Sequence, residues 1–140
     1  MSAKIGIAKL SFAHVHAHGY CDQVRDHPEA ELVAIWDEDP ARGREEAQKR
    51  NLPFFERLDD ALAFPGVDAV VCDAPTNMHA EVLIAAADAG KHIFTEKALT
   101  ITIAEADAVV SAVKRSGVKF MISLPSRTRP EILFAKKAVE

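Results

Sequence analysis

Short apolar runs recur along the chain, each followed by a turn signal and then a longer segment with apolar residues at helical spacing. Lys4-Ile5-Gly6-Ile7-Ala8 is the first, followed by Glu31 to Trp36, Leu52 to Phe55, Ala69 to Cys72, Ile93-Phe94 and Val118 to Ile122. Runs this short and this uniformly apolar read as strands buried on both faces, the pattern of a parallel sheet. Their alternation with helices predicts an α/β chain, a doubly wound parallel sheet of about six strands flanked by helices.

Helix signals fill the gaps. Val15 to Asp26 reads as a helix stopped by Pro28. Asp39-Pro40 offers an N-cap and a first-turn proline for a helix reaching Arg50. Leu58 to Phe64 is a short helix opened by Asp59 or Asp60. Asn77 can cap a helix that carries Val82, Leu83 and Ala86 on one face and stops at Gly90. Thr102-Ile103-Ala104-Glu105 is a capping box; Ile103, Ala106, Val110 and Val113 mark its expected buried face, and Gly117 its end. Pro130 to Glu140 starts a last helix, and Lys9 to His14 is expected as a loop.

A chain of 140 residues makes one domain with a real core, and 49% hydrophobic with 27% charged residues is ordinary globular composition. A net charge of −4 without a basic cluster argues against a nucleic-acid partner. No apolar run approaches the roughly 18–20 residues of a membrane span. Met1-Ser2-Ala3-Lys4 leads straight into the first strand, so no export signal is expected and the location reads as cytoplasmic. Cys21 and Cys72 are too few and too far apart for a disulfide or zinc framework.

Chemistry gathers where the strands end, because an open parallel sheet binds its ligands outside the carboxyl ends of the strands. Glu96-Lys97 follows the Ile93-Phe94 strand. A lysine there can hold its ammonium against a substrate oxygen, and the adjacent glutamate can neutralise it or contact a ribose.

The run Asp68 to His79 with Pro75, Asn77 and His79, the Gly90-Lys91-His92 turn, Glu96-Lys97 and Thr102 to Ala106 together resemble the Gfo/Idh/MocA oxidoreductase family. The resemblance implies a Rossmann-like, NAD-binding domain over residues 1–125. Residues 126–140, with Arg129-Pro130, would begin the connection to a C-terminal substrate domain beyond this sequence. It also implies hydride transfer between a sugar- or cyclitol-like alcohol and a nicotinamide, with a polyol or sugar as substrate. Lys97 matches the lysine that binds the reacting hydroxyl and assists proton transfer, although Ala98 stands where the family has proline. Glu96 would hold that lysine or the ribose, and Pro75, Asn77 and His79 match a loop lining the nicotinamide side. Asp37, at the end of the second strand, would accept hydrogen bonds from the adenosine ribose and repel a 2′-phosphate, which favours NAD over NADP.

The phosphate loop departs from this pattern. Where G-x-G-x-x-G is expected, the chain reads Lys9-Leu10-Ser11-Phe12-Ala13-His14, with no glycine. The expectation is a wider loop in which Lys9 replaces lost backbone contacts by charge and Ser11 donates its hydroxyl. That makes NAD binding weak and salt-sensitive. Two rival readings stay open. One is a non-catalytic or degenerate dinucleotide-binding domain. The other is a metal-dependent hydrolase using His14, His16 and His18. No later ligands appear at barrel strand ends, and the chain is far short of the roughly 250 residues of a barrel, so no metal is expected. A surface normally covered by a second domain favours some self-association.

Overall fold

The structure, a computed structural model, describes residues 4–140; the approach of Met1, Ser2 and Ala3 to the first strand lies outside the described residues. Strands β1 (Ile5–Leu10), β2 (Ala30–Trp36), β3 (Phe54–Phe55), β4 (Ala69–Cys72), β5 (His92–Thr95) and β6 (Phe120–Ile122) form one sheet in the order β3-β2-β1-β4-β5-β6. All five pairings are parallel. Helices α1 (Ala17–Asp26), α2 (Pro40–Arg50), α3 (Leu58–Ala63), α4 (His79–Asp88), α5 (Ile103–Ser116) and α6 (Pro130–Val139) make the connections and the last segment. Among the described residues, no helix is long and apolar enough to cross a membrane.

The two faces of the sheet build two cores, because successive strand residues point to opposite sides. Ala34 and Trp36 join Ala8, Leu10, Val70 and Cys72 in the larger cluster, with Leu83 and Ala86 of α4 and Val109 and Ala112 of α5. Ile35 faces the other way, into a smaller cluster with Phe12, Ala17, Cys21 and Ala47.

Two glycines set close approaches. A Cβ on Gly6 would lie 1.7 Å from the Gly66 carbonyl oxygen, so β1 and the turn into β4 meet backbone to backbone. A Cβ on Gly43 would lie 2.7 Å from the Asp37 Cβ and 2.3 Å from the Phe54 ring. Helix α2 therefore reaches the end of β2 only because Gly43 has no side chain.

Most predicted elements are present with shifted ends. Strand β1 continues through Lys9 and Leu10, which the sequence placed in a loop, because Lys9 is fully buried against Asp73. The first helix begins at Ala17 rather than Val15, after a turn through His14 and His16. Arg57, not Asp59 or Asp60, precedes α3, and those two aspartates sit in its first turn. Asn77 lies in a 3₁₀ turn, Thr76–Met78, and α4 starts after Met78, so Asn77 is not its cap. Asp39 and the Thr102–Glu105 box cap α2 and α5 as predicted.

The face of α5 is rotated from the expected one: Val109 and Ala112 are buried, whereas Ile103 is 82% and Val110 42% exposed. Residues 109 and 112 join Ala86 and Ala87 in the core, and that narrow contact with α4 sets the rotation. Helix α6 buries no residue and leaves Ile132, Leu133, Phe134 and Val139 exposed.

Candidate active site

The chain steps from β1 outward to β2 and β3 on one side, then returns to β4 on the other. The switch point of the sheet therefore lies between β1 and β4, the crevice where doubly wound folds take their ligands. Leu10 pairs with Cys72, and Cys72 with Thr95, so three strands end at one level. Ser11–His16, Asp73–Pro75 and Glu96–Ala98 leave that level together. They enclose a cleft of about 230 Å³ lined by Ala13, His14, Pro75, His79, Glu96 and Lys97.

Of the predicted site residues, Pro75, His79, Glu96 and Lys97 meet here. Asn77 is exposed and does not line the cleft. His79 is buried, with Nδ1 3.0 Å from the Leu99 carbonyl oxygen and Nε2 2.9 Å from that of Ala74. Its ring thus ties the end of β4 to the segment after Lys97, across a peptide bond, Lys97–Ala98, that is cis.

Glu96 is 1% exposed and surrounded by donors. The Tyr20 hydroxyl donates to Oε1, His16 Nδ1 lies 2.7 Å from the same oxygen, and the Lys97 amide donates to Oε2 at 3.0 Å. Burial alone pushes this carboxyl up, but the hydrogen bonds from Tyr20, His16 and the Lys97 amide outweigh it and hold the group down at about 2. Burial, and then the bond to Glu96, pushes the Tyr20 phenol up to about 12. The Tyr20 oxygen also lies 2.8 Å from Ser123 Oγ at the end of β6. A fixed anion is the result: Glu96 does not take up a proton near neutrality, and Tyr20 does not lose one.

The phosphate loop is the largest correction. Lys9 is not a loop cation. Its ammonium is buried in an ion pair with Asp73, both side chains at 0% exposure, and lies 5.2 Å from the centre of the Phe12 ring. The turn is also not widened by avoiding a left-handed residue, since Ser11 adopts φ 70°. That conformation is secured locally. The Ser11 amide donates to the Trp36 carbonyl at 2.7 Å, the Phe12 amide to Asp37 at 2.9 Å and the Ala13 amide to Ser11 Oγ at 3.1 Å. The His16 amide donates to His14 Nδ1 at 3.2 Å and the Ala17 amide to the His14 carbonyl at 3.1 Å. Five backbone donors of this segment, the amides of Ser11, Phe12, Ala13, His16 and Ala17, are thus paired within the protein.

Asp37 is likewise internal, 1% exposed. It accepts four hydrogen bonds: from the Phe12 and Asp39 amides, at 2.9 and 2.8 Å, and from Arg42 Nε and Nη2, at 3.0 and 2.7 Å. Two carboxylate oxygens offer about four lone-pair positions, so Asp37 is saturated. Arg42 also reaches Glu38 at 2.6 Å, and these carboxylates raise the guanidinium further above its ordinary range, with the Asp37 bonds the main cause against a smaller burial penalty. The other oxygen of Glu38, Oε2, is buried without a partner, as is Oδ1 of Asp73.

Four residues of this region escaped sequence reading: Arg42, Asp73, Tyr20 and Ser123. Arg42 carried a signal, standing four residues after Glu38 in the first turn of a capped helix. Asp73 carried the same signal as Asp37, a carboxylate just past an apolar strand. Tyr20 and Ser123 carried none, since 103 residues separate them.

Residues 5–124 match the family model described as the oxidoreductase family with an NAD-binding Rossmann fold. The chain belongs to the Gfo/Idh/MocA oxidoreductase family. Among relatives of this Gfo/Idh/MocA chain, the scyllo-inositol 2-dehydrogenase (NAD(+)) of Bacillus subtilis is 33% identical, over 99% of this chain and 39% of its own length. A myo-inositol 2-dehydrogenase of Thermotoga maritima is 30% identical, over 97% and 39%. The crystal structure of an NAD binding oxidoreductase from Klebsiella pneumoniae superposes with a TM-score of 0.84 at 27% identity, covering 98% of this chain and 38% of that one. The chain thus spans about 39% of the length of the curated relatives it matches.

Proposed function

We propose that this chain is the dinucleotide-binding part of an NAD-dependent oxidoreductase acting on a sugar- or cyclitol-like alcohol. The observation that carries the reading is the meeting of Pro75, His79, Glu96 and Lys97 around one cleft at the switch point of the sheet. The inositol dehydrogenase relatives support the choice of substrate class.

The residues fit the adenosine end of such a cofactor, with Glu38 in the role first given to Asp37. Oε2 of Glu38 is a buried acceptor without a donor, and a ribose hydroxyl is a donor of the right kind. Asp37, Glu38 and Arg42 together carry one net negative charge, which disfavours a 2′-phosphate and keeps NAD ahead of NADP. With the amides of Ser11, Phe12, Ala13, His16 and Ala17 already paired, the pyrophosphate has fewer backbone donors to meet, so this domain binds NAD more weakly than a glycine loop would.

Nicotinamide, when bound, supplies the acceptor for a hydride. The chain's own part is to orient the alcohol and bear the charge that develops on its oxygen. Lys97, exposed at the rim of the cleft, presents an ammonium for that oxygen. Glu96 stays ionised beneath it and fixes the Lys97 amide through Oε2, so the lysine backbone has one position. Tyr20 holds Glu96 in turn, and Ser123 holds the Tyr20 hydroxyl.

Calorimetric titration of NAD and NADP into the chain and into Glu38→Gln tests the reading. Tighter NAD than NADP in the parent, with NAD binding weakened in Glu38→Gln, supports it. Equal affinity for both cofactors in the parent overturns the preference for NAD, unchanged NAD binding in Glu38→Gln removes Glu38 from the site, and no binding of either removes the dinucleotide role.

A further inference from the structure

Two histidines of the glycine-free loop and the glutamate after β5 come together at the mouth of the cleft. The ligand atoms of His14, His16 and Glu96 all lie within 4.8 Å of one another. Measured to Oε1 of Glu96, His16 Nδ1 stands at 2.7 Å and His14 Nδ1 at 3.9 Å. Zinc–nitrogen and zinc–oxygen distances of about 2.0–2.1 Å place tetrahedral ligands roughly 3.3–3.4 Å apart, and the two separations bracket that value. The carboxylate is fixed, while the imidazoles can adjust, since the side chains of His14 and His16 are 24% and 53% exposed; to ligate through Nδ1, His14 gives up the 3.2 Å bond from the His16 amide.

We propose that His14, His16 and Glu96 bind one divalent transition-metal ion, with zinc the best match to two imidazoles and a carboxylate. Each part of the surroundings suits that use. The Tyr20 hydroxyl and the Lys97 amide orient the carboxylate, as outer partners do in metal sites. Three protein ligands leave at least one position for an oxygen ligand, and that position opens on the cleft that His14 and Glu96 line. The ion would also stand just before α1, in a segment where Lys9 is buried away against Asp73. The sequence alone showed the run His14, His16 and His18; the third ligand, Glu96, comes from a strand end 80 residues beyond His16.

Cobalt(II) titration followed by absorbance, with zinc displacement, tests the site without any cofactor or turnover. One equivalent of cobalt should give a ligand-field spectrum of low coordination number that zinc abolishes. His14→Ala, His16→Ala and the isosteric Glu96→Gln should each weaken binding, by roughly 10–100-fold or more, since even outer-shell losses reach that range. His18→Ala is the control, because His18 faces Arg50 and Glu46 instead, and its affinity should match the parent. Circular dichroism of each variant establishes that it is folded. Absence of cobalt and zinc binding in the parent overturns the proposal, as does unchanged affinity in His14→Ala, His16→Ala or Glu96→Gln. Loss of binding in His18→Ala equal to that in His16→Ala overturns it too.

Discussion

Replacing Lys9 by methionine keeps most of the side-chain volume and removes the charge. Asp73 is then left at 0% exposure with Oδ2 unpaired beside Oδ1, which already lacks a partner. Breaking a buried pair by removing one member costs about 3–5 kcal/mol, much more than the pair itself contributes over a well-packed apolar substitute. Taking about 4 kcal/mol and a urea slope near 2 kcal/mol/M, the midpoint should fall by about 2 M. A domain at the lower end of the usual range of roughly 5–15 kcal/mol would be brought close to unfolding. The double variant Lys9→Met/Asp73→Leu should recover most of that loss. Urea unfolding followed by the fluorescence of Trp36, itself in the core, reads all three proteins. If Lys9→Met stays within about 0.5 kcal/mol of the parent, as an ordinary surface change does, then Lys9 is not buried as described. Its charge would then be free to meet a phosphate.

Other expectations follow from the same geometry. Arg42→Ala removes the cation paired with Asp37 and Glu38, so NADP binding should fall more than NAD binding in calorimetry. Gly43→Ala drives a methyl against Asp37 and Phe54, and thermal or urea unfolding should show a loss of about 1–3 kcal/mol. Burial raises the Cys72 thiol to about 11 and also raises Cys21, so neither should react with a thiol reagent at neutral pH until the chain unfolds. With Lys97 exposed at an open rim, the 140-residue chain alone should show negligible dehydrogenase turnover in an NADH absorbance assay. Positioned acid–base groups and substrate alignment each supply large factors, the former about 10²–10⁴-fold.

The strands and their parallel order were legible because each is an apolar run, and burial on both faces leaves no polar alternation to confuse the reading. The Thr102–Glu105 box and Asp39 were legible because a cap is a local device. Lys9 was misplaced for the opposite reason. A charged residue after an apolar run reads as the end of a strand, and its partner, Asp73, lies 64 residues away. The face of α5 escaped because its apolar residues nearly surround it, and only the neighbouring α4 decides which of them is covered. Glu96 and Lys97 were found by their place after a strand. The saturation of Asp37 depended on Arg42 turning back from α2, which strand-end logic does not reveal.

The buried pair at the switch point also bears on how this loop can change over generations. Restoring glycine at position 9 leaves Asp73 stranded, and replacing Asp73 by a small apolar residue strands Lys9. Either single step crosses a deep fitness valley, and only the joint change avoids it. Descendants of this sequence are therefore held to a charged pair at the end of β1, whereas position 11, already left-handed at φ 70°, stays open to glycine.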